Sequence, residues 1–432
     1  MYLQCTLCGK TYAPDSLKYV CPDHGNDGIL DVVYDYDEIN RVTSPEKISA
    51  SRENSIWRYW DLLPLKNRAD IPTLQVGWTP MYRANFLGAQ LGLENLYIKD
   101  DGRNPTASYK DRPSAVVVAK ARELGERVVT TASSGNAGAA LAGMAASAHI
   151  PAVIFVPESA PQAKITQLLI YGARVLLVRG TYDQASDLCL AASQEFGWYC
   201  RNTAYNPYTT EGKKTGALEI CEQLSAIHSQ LSVISNQSSV SSLQSPISRW
   251  FAPDRIFVSV GDGNIIGGIW KGLRDLYTLG WIDKMPKLMG VQAEGSAACY
   301  NAWQAGTDEI TAIEAHTIAD SIDVGLPRDG RRAVRAVRAT NGEFITVSDE
   351  EILQAMPQLA RGEAVFAEPA ASAAYAGLLK AARAKKIDRD ETIVVVITGN
   401  GLKDVKSAMR AAGEATVIEP ALEAVKRLEI RD

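Results

Sequence analysis

The chain has 432 residues, of which 46% are hydrophobic and 22% charged, enough to bury a large core and to divide into two main domains with additions. A formal net charge of −5 gives no electrostatic footprint for nucleic acid or an anionic membrane surface, so any phosphate on a ligand must be held locally. No stretch approaches the roughly 20 apolar residues of a bilayer span, and the first residues lack the basic start and apolar middle of a signal peptide, which points to a cytoplasmic protein.

Residues 1–36 contain CTLCGKTY, CPDHG and ILDVVYDYD, two knuckle-like turns and a β-rich return. The seven cysteines are an odd number, and three of them fall in this segment rather than along the chain, so a disulfide framework is not expected. Cys5, Cys8, Cys21 and His24 have the spacing of a zinc ribbon. Four such ligands close a tetrahedral Zn²⁺ site and leave no open position for catalysis; the same turns also stand as a relic without metal.

From Trp57 onward, apolar runs alternate with Ala-rich helical patterns. The strand candidates are NLYIKDD, RVVTTAS, PAVIFVPE, ARVLLVRG, WYCRNT, RIFVSVG, KLMGVQAE and TIVVVITG. Between them, KDRPSAVVVAKARELG, AGAALAGMAASAH, PQAKITQLLIYG, TYDQASDLCLAASQEFG and NIIGGIWKGLRDLYTLG read as helices. Alternation of this kind implies parallel sheets covered by helices on both faces, with ligands gathered at the carboxyl ends of the strands. Residues 225–249, rich in Ser and Gln, interrupt the rhythm and read as a solvent-exposed insertion.

Four segments each follow a strand candidate. In KDDGRNPTASYKDRP, Lys110 precedes a helix, where the positive end of the dipole disfavours its protonated form and suits it to act as an amine nucleophile. TASSGNAGAALAGMAA opens a helix on Ser133, Ser134, Gly135 and Asn136, small residues that let backbone N–H groups approach a carboxylate or phosphate. A plain helix cap by Ser or Asn fits them equally well. In VSVGDGNIIGGIWKGL, Gly261, Gly263, Gly267 and Gly268 surround a strand-to-helix step that suits phosphate. It has neither the Walker lysine nor the dinucleotide glycine spacing, which favours a smaller phosphate over a nucleotide. TIVVVITGNGLKD ends an apolar strand on Thr398, whose hydroxyl can meet a ring nitrogen or simply close a turn.

Together NPTASYKDR, SSGNAG, GDGNIIGG with WKG, AEPAASAAYAGLLK and TGNGLKD, in this order from the ribbon to about Lys406, resemble threonine synthase of the fold-type-II pyridoxal-phosphate (PLP) superfamily. That resemblance implies an α/β, tryptophan synthase β-like fold with two doubly wound parallel-sheet domains. The implied division is a zinc-ribbon-like segment at 1–36, a large PLP-binding domain at 37–117 and 219–432, and a small substrate-binding domain at 118–218. It makes Lys110 the Schiff-base lysine and Asn136 the partner of the cofactor's phenolic oxygen. Gly261, Asp262, Gly263, Asn264 and Ile265 would surround the cofactor phosphate, and Thr398 would face the pyridine nitrogen. Ser133, Ser134 and Gly135 would take the substrate α-carboxylate, with Lys99, Ser108, Asn202, Thr209 and Lys213 completing the substrate site. The implied activity is that of a carbon–oxygen lyase making L-threonine and phosphate from O-phospho-L-homoserine and water. A small amino-acid substrate and a homodimer are the partners such a family implies, with no nucleic acid and no membrane.

Departures cluster around the substrate. The family's Gly-Ser-Phe-Lys-Asp-Arg-Gly stands here as Ala107 to Pro113, and its Ser-Thr-Gly-Asn-Thr-Ser as Ser133 to Gly138. Its Asn-Pro-Tyr-Arg-x-Glu-Gly-Gln-Lys-Thr reads NPYTTEGKKT, so Thr209 replaces an arginine expected to clamp the substrate phosphate, a fork that Thr cannot reproduce. Lys99, Lys213 and Arg112 are the candidates to compensate. Without compensation the reading shifts to cysteate synthase-like β-replacement or dehydratase-like elimination. A PLP-fold binding module without activity is disfavoured by the presence of Lys110, Asn136 and the glycine loop together.

Overall fold

The computed structural model describes residues 1–14, 16–133, 135–160, 162–235 and 248–427. The ribbon forms a small antiparallel sheet in the order β2-β1-β3, from β1 (Tyr2–Cys5), β2 (Thr11–Tyr12) and β3 (Leu30–Val33). Directly after β3, Tyr34 and Tyr36 reach between two long helices, Tyr208–Ser235 and Asn264–Thr278. There they cap a buried ionic cluster: Lys214 bridges Glu211 (2.6 Å) and Asp275 (2.9 Å), and Lys271 contacts Asp275 (2.5 Å). Tyr34 donates to Glu211 (2.5 Å) and Tyr36 to Asp275 (2.8 Å), so the ribbon is keyed into the main body by hydroxyls that satisfy buried carboxylates.

The main body holds two sheets. The larger comprises β4 (Met81–Arg83), β5 (Asn95–Asp100), β10 (Arg255–Ser259), β11 (Lys287–Ala293), β12 (Glu343–Val347) and β13 (Thr392–Ile397), in the order β12-β11-β10-β13-β5-β4. All its pairings are parallel except that of edge strand β4 with β5. The smaller sheet, β8-β7-β6-β9, is wholly parallel and comprises β6 (Val129–Ala132), β7 (Ala152–Pro157), β8 (Arg174–Val178) and β9 (Tyr199–Cys200). In β13 the residues divide by parity: Val394 and Val396 join one core cluster and Ile393, Val395 and Ile397 another. That is the signature of a strand with both faces covered, and it explains the uninterrupted apolar run.

The Ser/Gln-rich stretch differs from its expectation. The helix beginning at Tyr208 continues to Ser235, so residues 225–235 are helical rather than an insertion loop. Ser225 is buried and accepts from the Phe251 amide (2.6 Å), and His228 stacks on the Phe251 ring. Residues 236–247 lie outside the described residues. Among the described residues no helix is long and apolar enough to cross a membrane.

Candidate active site

Three neighbouring parallel strands, β10, β13 and β5, deliver the site from their carboxyl ends. After β5 the chain turns back so that residues 107–109 pair with 398–400: the Tyr109 amide donates to Thr398 O (2.9 Å) and the Asn400 amide to Ala107 O (3.1 Å). Ala107 takes a left-handed φ of 66° to make this return, at a position where the family pattern has glycine. Lys110 follows directly and precedes the helix Asp111–Glu123, whose first turn is fixed by the Asp111 carboxylate accepting the Thr106 amide (2.7 Å).

A cavity opens here, lined by Lys110, Asn136, Thr398, Gly261–Ile265, Ser259, Ser321, Ile322, Glu368 and Ala370. The glycine loop is shaped from behind. A Cβ on Gly261 would fall 2.9 Å from the Ile322 Cα, and Gly263, at φ +88°, has the Asp329 carbonyl 2.7 Å from where a Cβ would stand. The helix Asn264–Thr278 makes its first amide bond from Gly267 to Gly263 O (3.0 Å), so amides 264–266 have no intrahelical acceptor at an end that favours anions. Gly267 and Gly268 do different work: a Cβ on them would strike Arg332 Cδ (2.6 Å) and Lys213 Cβ (2.5 Å). They seat two cations rather than cradle phosphate.

Burial pulls the Lys110 amine down to about 8, helped by the positive charge of Arg201 and opposed by Asp262 and Glu368. Lys213 is wholly buried and donates to Asn264 Oδ1; desolvation, then Lys110 and Arg201, hold its pKa well below that of an ordinary lysine. Glu368, raised by burial, accepts from Asn136 Nδ2 (2.7 Å). Its carboxylate occupies the space a side chain at position 399 would need, which accounts for a glycine there.

Other expected residues are placed differently. Lys99 is not brought to the cavity: its ammonium donates to Thr79 O (2.7 Å), Glu219 (2.7 Å) and Gln223 (2.8 Å), which uses all three hydrogens. Arg112 is likewise committed, to Asp101 (2.6 Å) and Glu219 (2.6 Å), both buried. Thr209 is fully buried with its hydroxyl on Asn206 O (2.8 Å) in the first turn of its helix. Asn202 Oδ1 accepts from Thr131 Oγ1 (2.9 Å) and the Ala132 amide (3.0 Å), and lines a larger groove beside the ribbon. Ser133 accepts the Gly135 amide (3.2 Å), and a Cβ on Gly135 would meet open space. Ser134 lies outside the described residues. Ser108 is buried beside Gly399, and its Oγ has no hydrogen-bond partner among the described residues.

Ser259, Ser321, Ile322, Glu368 and Ala370 are cavity residues that sequence reasoning missed. Glu368 carried a signal, an acid just ahead of a helix-starting proline in AEPAASAAYAG, whereas the short 3₁₀ turn Asp320–Ile322 carried none.

Residues 72–399 match the family model described as pyridoxal-phosphate dependent enzyme. The chain is 38% identical to the threonine synthase of Methanocaldococcus jannaschii over 99% of each chain. It belongs to the threonine synthase family of PLP-dependent enzymes. Its similarity to the threonine synthase of Methanosarcina acetivorans, 38% over 98% of both chains, extends across the ribbon as well. Among solved structures, a processed threonine deaminase isoform of Solanum lycopersicum (TM-score 0.63, 21% identity, 89% of this chain and 90% of that one) and maize serine racemase (TM-score 0.60, 23% identity, 77% and 91%) share the family's fold.

The cavity suits the family's cofactor on its own terms: its lining holds an amine whose pKa is lowered to about 8, a glycine-shaped helix N-terminus for a phosphate, the Thr398 hydroxyl and the Asn136 amide. The ribbon suits a metal. The donor atoms of Cys5, Cys8, Cys21 and His24 all lie within 4.8 Å of one another. A nitrogen about 2.0 Å and a sulfur about 2.3 Å from a tetrahedral zinc stand roughly 3.5 Å apart, close to the 3.9 Å and 3.5 Å from His24 Nδ1 to Cys5 and Cys21 Sγ.

Proposed function

We propose that this protein converts O-phospho-L-homoserine and water to L-threonine and phosphate, with Lys110 as the acid–base group and cofactor anchor. The observation that carries the reading is the Lys110 amine, lowered to about 8 and standing in one cavity with Asn136, Thr398 and the Gly261–Ile265 loop. When bound, PLP withdraws electron density from the substrate Cα and so makes its proton removable. A neutral Lys110 Nζ takes that proton and then one from Cβ as the γ-phosphate leaves, and a pKa near working pH lets the same nitrogen return protons at Cγ and, once water has supplied the hydroxyl at Cβ, at Cα. Thr398 offers a neutral hydroxyl at the ring-nitrogen end, which does not enforce protonation there. Gly135 and the start of the helix Asn136–Ser147 receive the α-carboxylate. With no arginine at Thr209, positive charge for the γ-phosphate would come from Arg201 and from Lys213, whose ammonium form, disfavoured by burial and by its cationic neighbours, a bound phosphate dianion would restore. Zn²⁺ on Cys5, Cys8, Cys21 and His24 would be structural, and the protein would work in the cytoplasm.

Product analysis with purified protein on O-phosphohomoserine, O-phosphoserine, threonine and serine tests the assignment. Threonine and phosphate in equal amounts from the first compound are expected. Turnover confined to one of the other three would overturn the substrate and leave the fold standing.

A further inference from the structure

The ribbon is attached to the phosphate end of the cavity by a continuous chain of buried polar contacts. Asp31, on β3, pairs with Arg332 Nη1, and Arg332 Nε donates to Asp329 Oδ1 (3.0 Å). The other oxygen of Asp329 accepts from Asn264 Nδ2, and Asn264 Oδ1 accepts from Lys213. Arg332, Asp329, Asn264 and Lys213 are all buried. Each link has only one workable sense. A carboxylate already paired to a guanidinium can only accept, so the Asn264 amide must turn its NH₂ toward Asp329, where Thr210 Oγ1 (3.3 Å) also faces it. The carbonyl oxygen of that amide is thereby left for Lys213. Among the described residues no carboxylate lies within ion-pair distance of Lys213, so Asn264 is what orients it.

Two further features show that the contact chain is built into the fold. Gly267 and Gly268 lie where Arg332 Cδ and Lys213 Cβ need the room. The loop bearing Asp329 is pinned to the glycine loop by the Asp329 amide on Asp262 O (2.9 Å). We propose that Asp31 is a positioning residue for the phosphate end of the site, acting through Arg332 and Asp329 on Asn264, which lines the cavity, and on Lys213 behind it. The ribbon thus takes part in holding a phosphate monoester, whether that of the cofactor or that of the substrate. This rests on the cavity being a phosphate-ester site and is independent of which amino acid is the substrate.

The experiment is a double-mutant cycle on the full chain with Asp31→Asn and Lys213→Gln, read in two arms. In the first, cofactor-free protein is titrated with pyridoxal phosphate and with pyridoxal, following absorbance. In the second, inorganic phosphate is titrated against turnover of the holoenzyme. Asp31→Asn is expected to weaken pyridoxal phosphate or inorganic phosphate about tenfold while pyridoxal changes by less than about twofold, and the arm affected identifies the phosphate served. In the Lys213→Gln background the same change is expected to have less than about a third of that effect, because a contact chain cut at one end has nothing left to lose at the other. Asp31→Glu restores part of the loss. Equal weakening of pyridoxal and its phosphate, equal effects in both backgrounds, or no change in either arm would each overturn the proposal. If Asp31→Asn does not accumulate as folded protein, Arg332→Lys enters the cycle in its place with the same expectations. Failure to make threonine would refute the substrate assignment without touching the first arm.

Discussion

The hydroxyl of Tyr109 donates to the backbone carbonyl of Lys213 (2.6 Å), tying the residue before one site lysine to the other. A phenylalanine at this position, as in the family pattern that the sequence resembles, could not make the contact, and Gly216 is needed to let the hydroxyl in. Tyr109→Phe is expected to lower stability by about 1 kcal/mol and to raise KM for a phosphorylated substrate more than it lowers kcat. Urea unfolding and steady-state kinetics check the two parts. An unchanged KM would mean that the bond only stabilises.

Lys110 reacts with the cofactor as a neutral amine. With burial and Arg201 holding its pKa at about 8, the neutral fraction grows as pH rises through that value. Cofactor uptake by the cofactor-free protein should therefore accelerate with pH across this range and level off above it, as followed by absorbance. Borohydride should trap the label on Lys110, and Lys110→Ala should abolish turnover. A flat profile, or label on another lysine, would remove the central assignment.

Thr209→Arg does not restore a family arginine here. The position is fully buried and its hydroxyl belongs to the Asn206 carbonyl, so the larger cation is expected to destabilise the helix start and leave KM no better. Lys213→Gln, by contrast, should weaken binding of the phosphorylated substrate by about ten- to a hundredfold, the worth of one charge-assisted contact. A Thr209→Arg variant with improved KM would refute this division of labour.

Ala107 sits at φ 66°, strained for any residue with a Cβ. Ala107→Gly is expected to stabilise by about 0.5 to 1 kcal/mol, measured as a higher urea midpoint with an unchanged slope. A lower midpoint would show that the methyl group contributes packing that outweighs the strain.

Metal analysis of wild type beside Cys8→Ser tests the ribbon. Zinc is expected in the first and lost from the second, together with a lower melting temperature. Equal zinc in both would rule out this site.

The alternation of strand and helix was legible because β5, β6, β7, β10 and β13 are buried on both faces and so read as uninterrupted apolar runs. Lys110, Asn136, Thr398 and Gly261–Ile265 were legible as neighbours because they all follow such strands, and the structure brings them to one cavity. What escaped was charge pairing. Lys99 and Arg112 look in the sequence like available cations, but Glu219, 120 and 107 residues further along the chain, holds both in a buried network that Asp101 completes. A helix continuing to Ser235 was hidden by Ser and Gln, whose helix propensity is unremarkable and whose packing on Phe251 is a long-range event.

Strand β13 lies between β5 and β10, although it is the last of the three to leave the ribosome. During synthesis, then, the lysine segment exists for nearly 300 residues of chain, and the glycine loop for about 130, without the strand that joins them, since β5 ends at Asp100, the loop at Ile265, and β13 begins at Thr392. Pairing of that kind is slow to form and leaves two open strand edges exposed in the meantime. Cofactor capture is therefore a late event in the birth of this protein, and a chain interrupted before residue 392 carries two halves of a site and no way to close them.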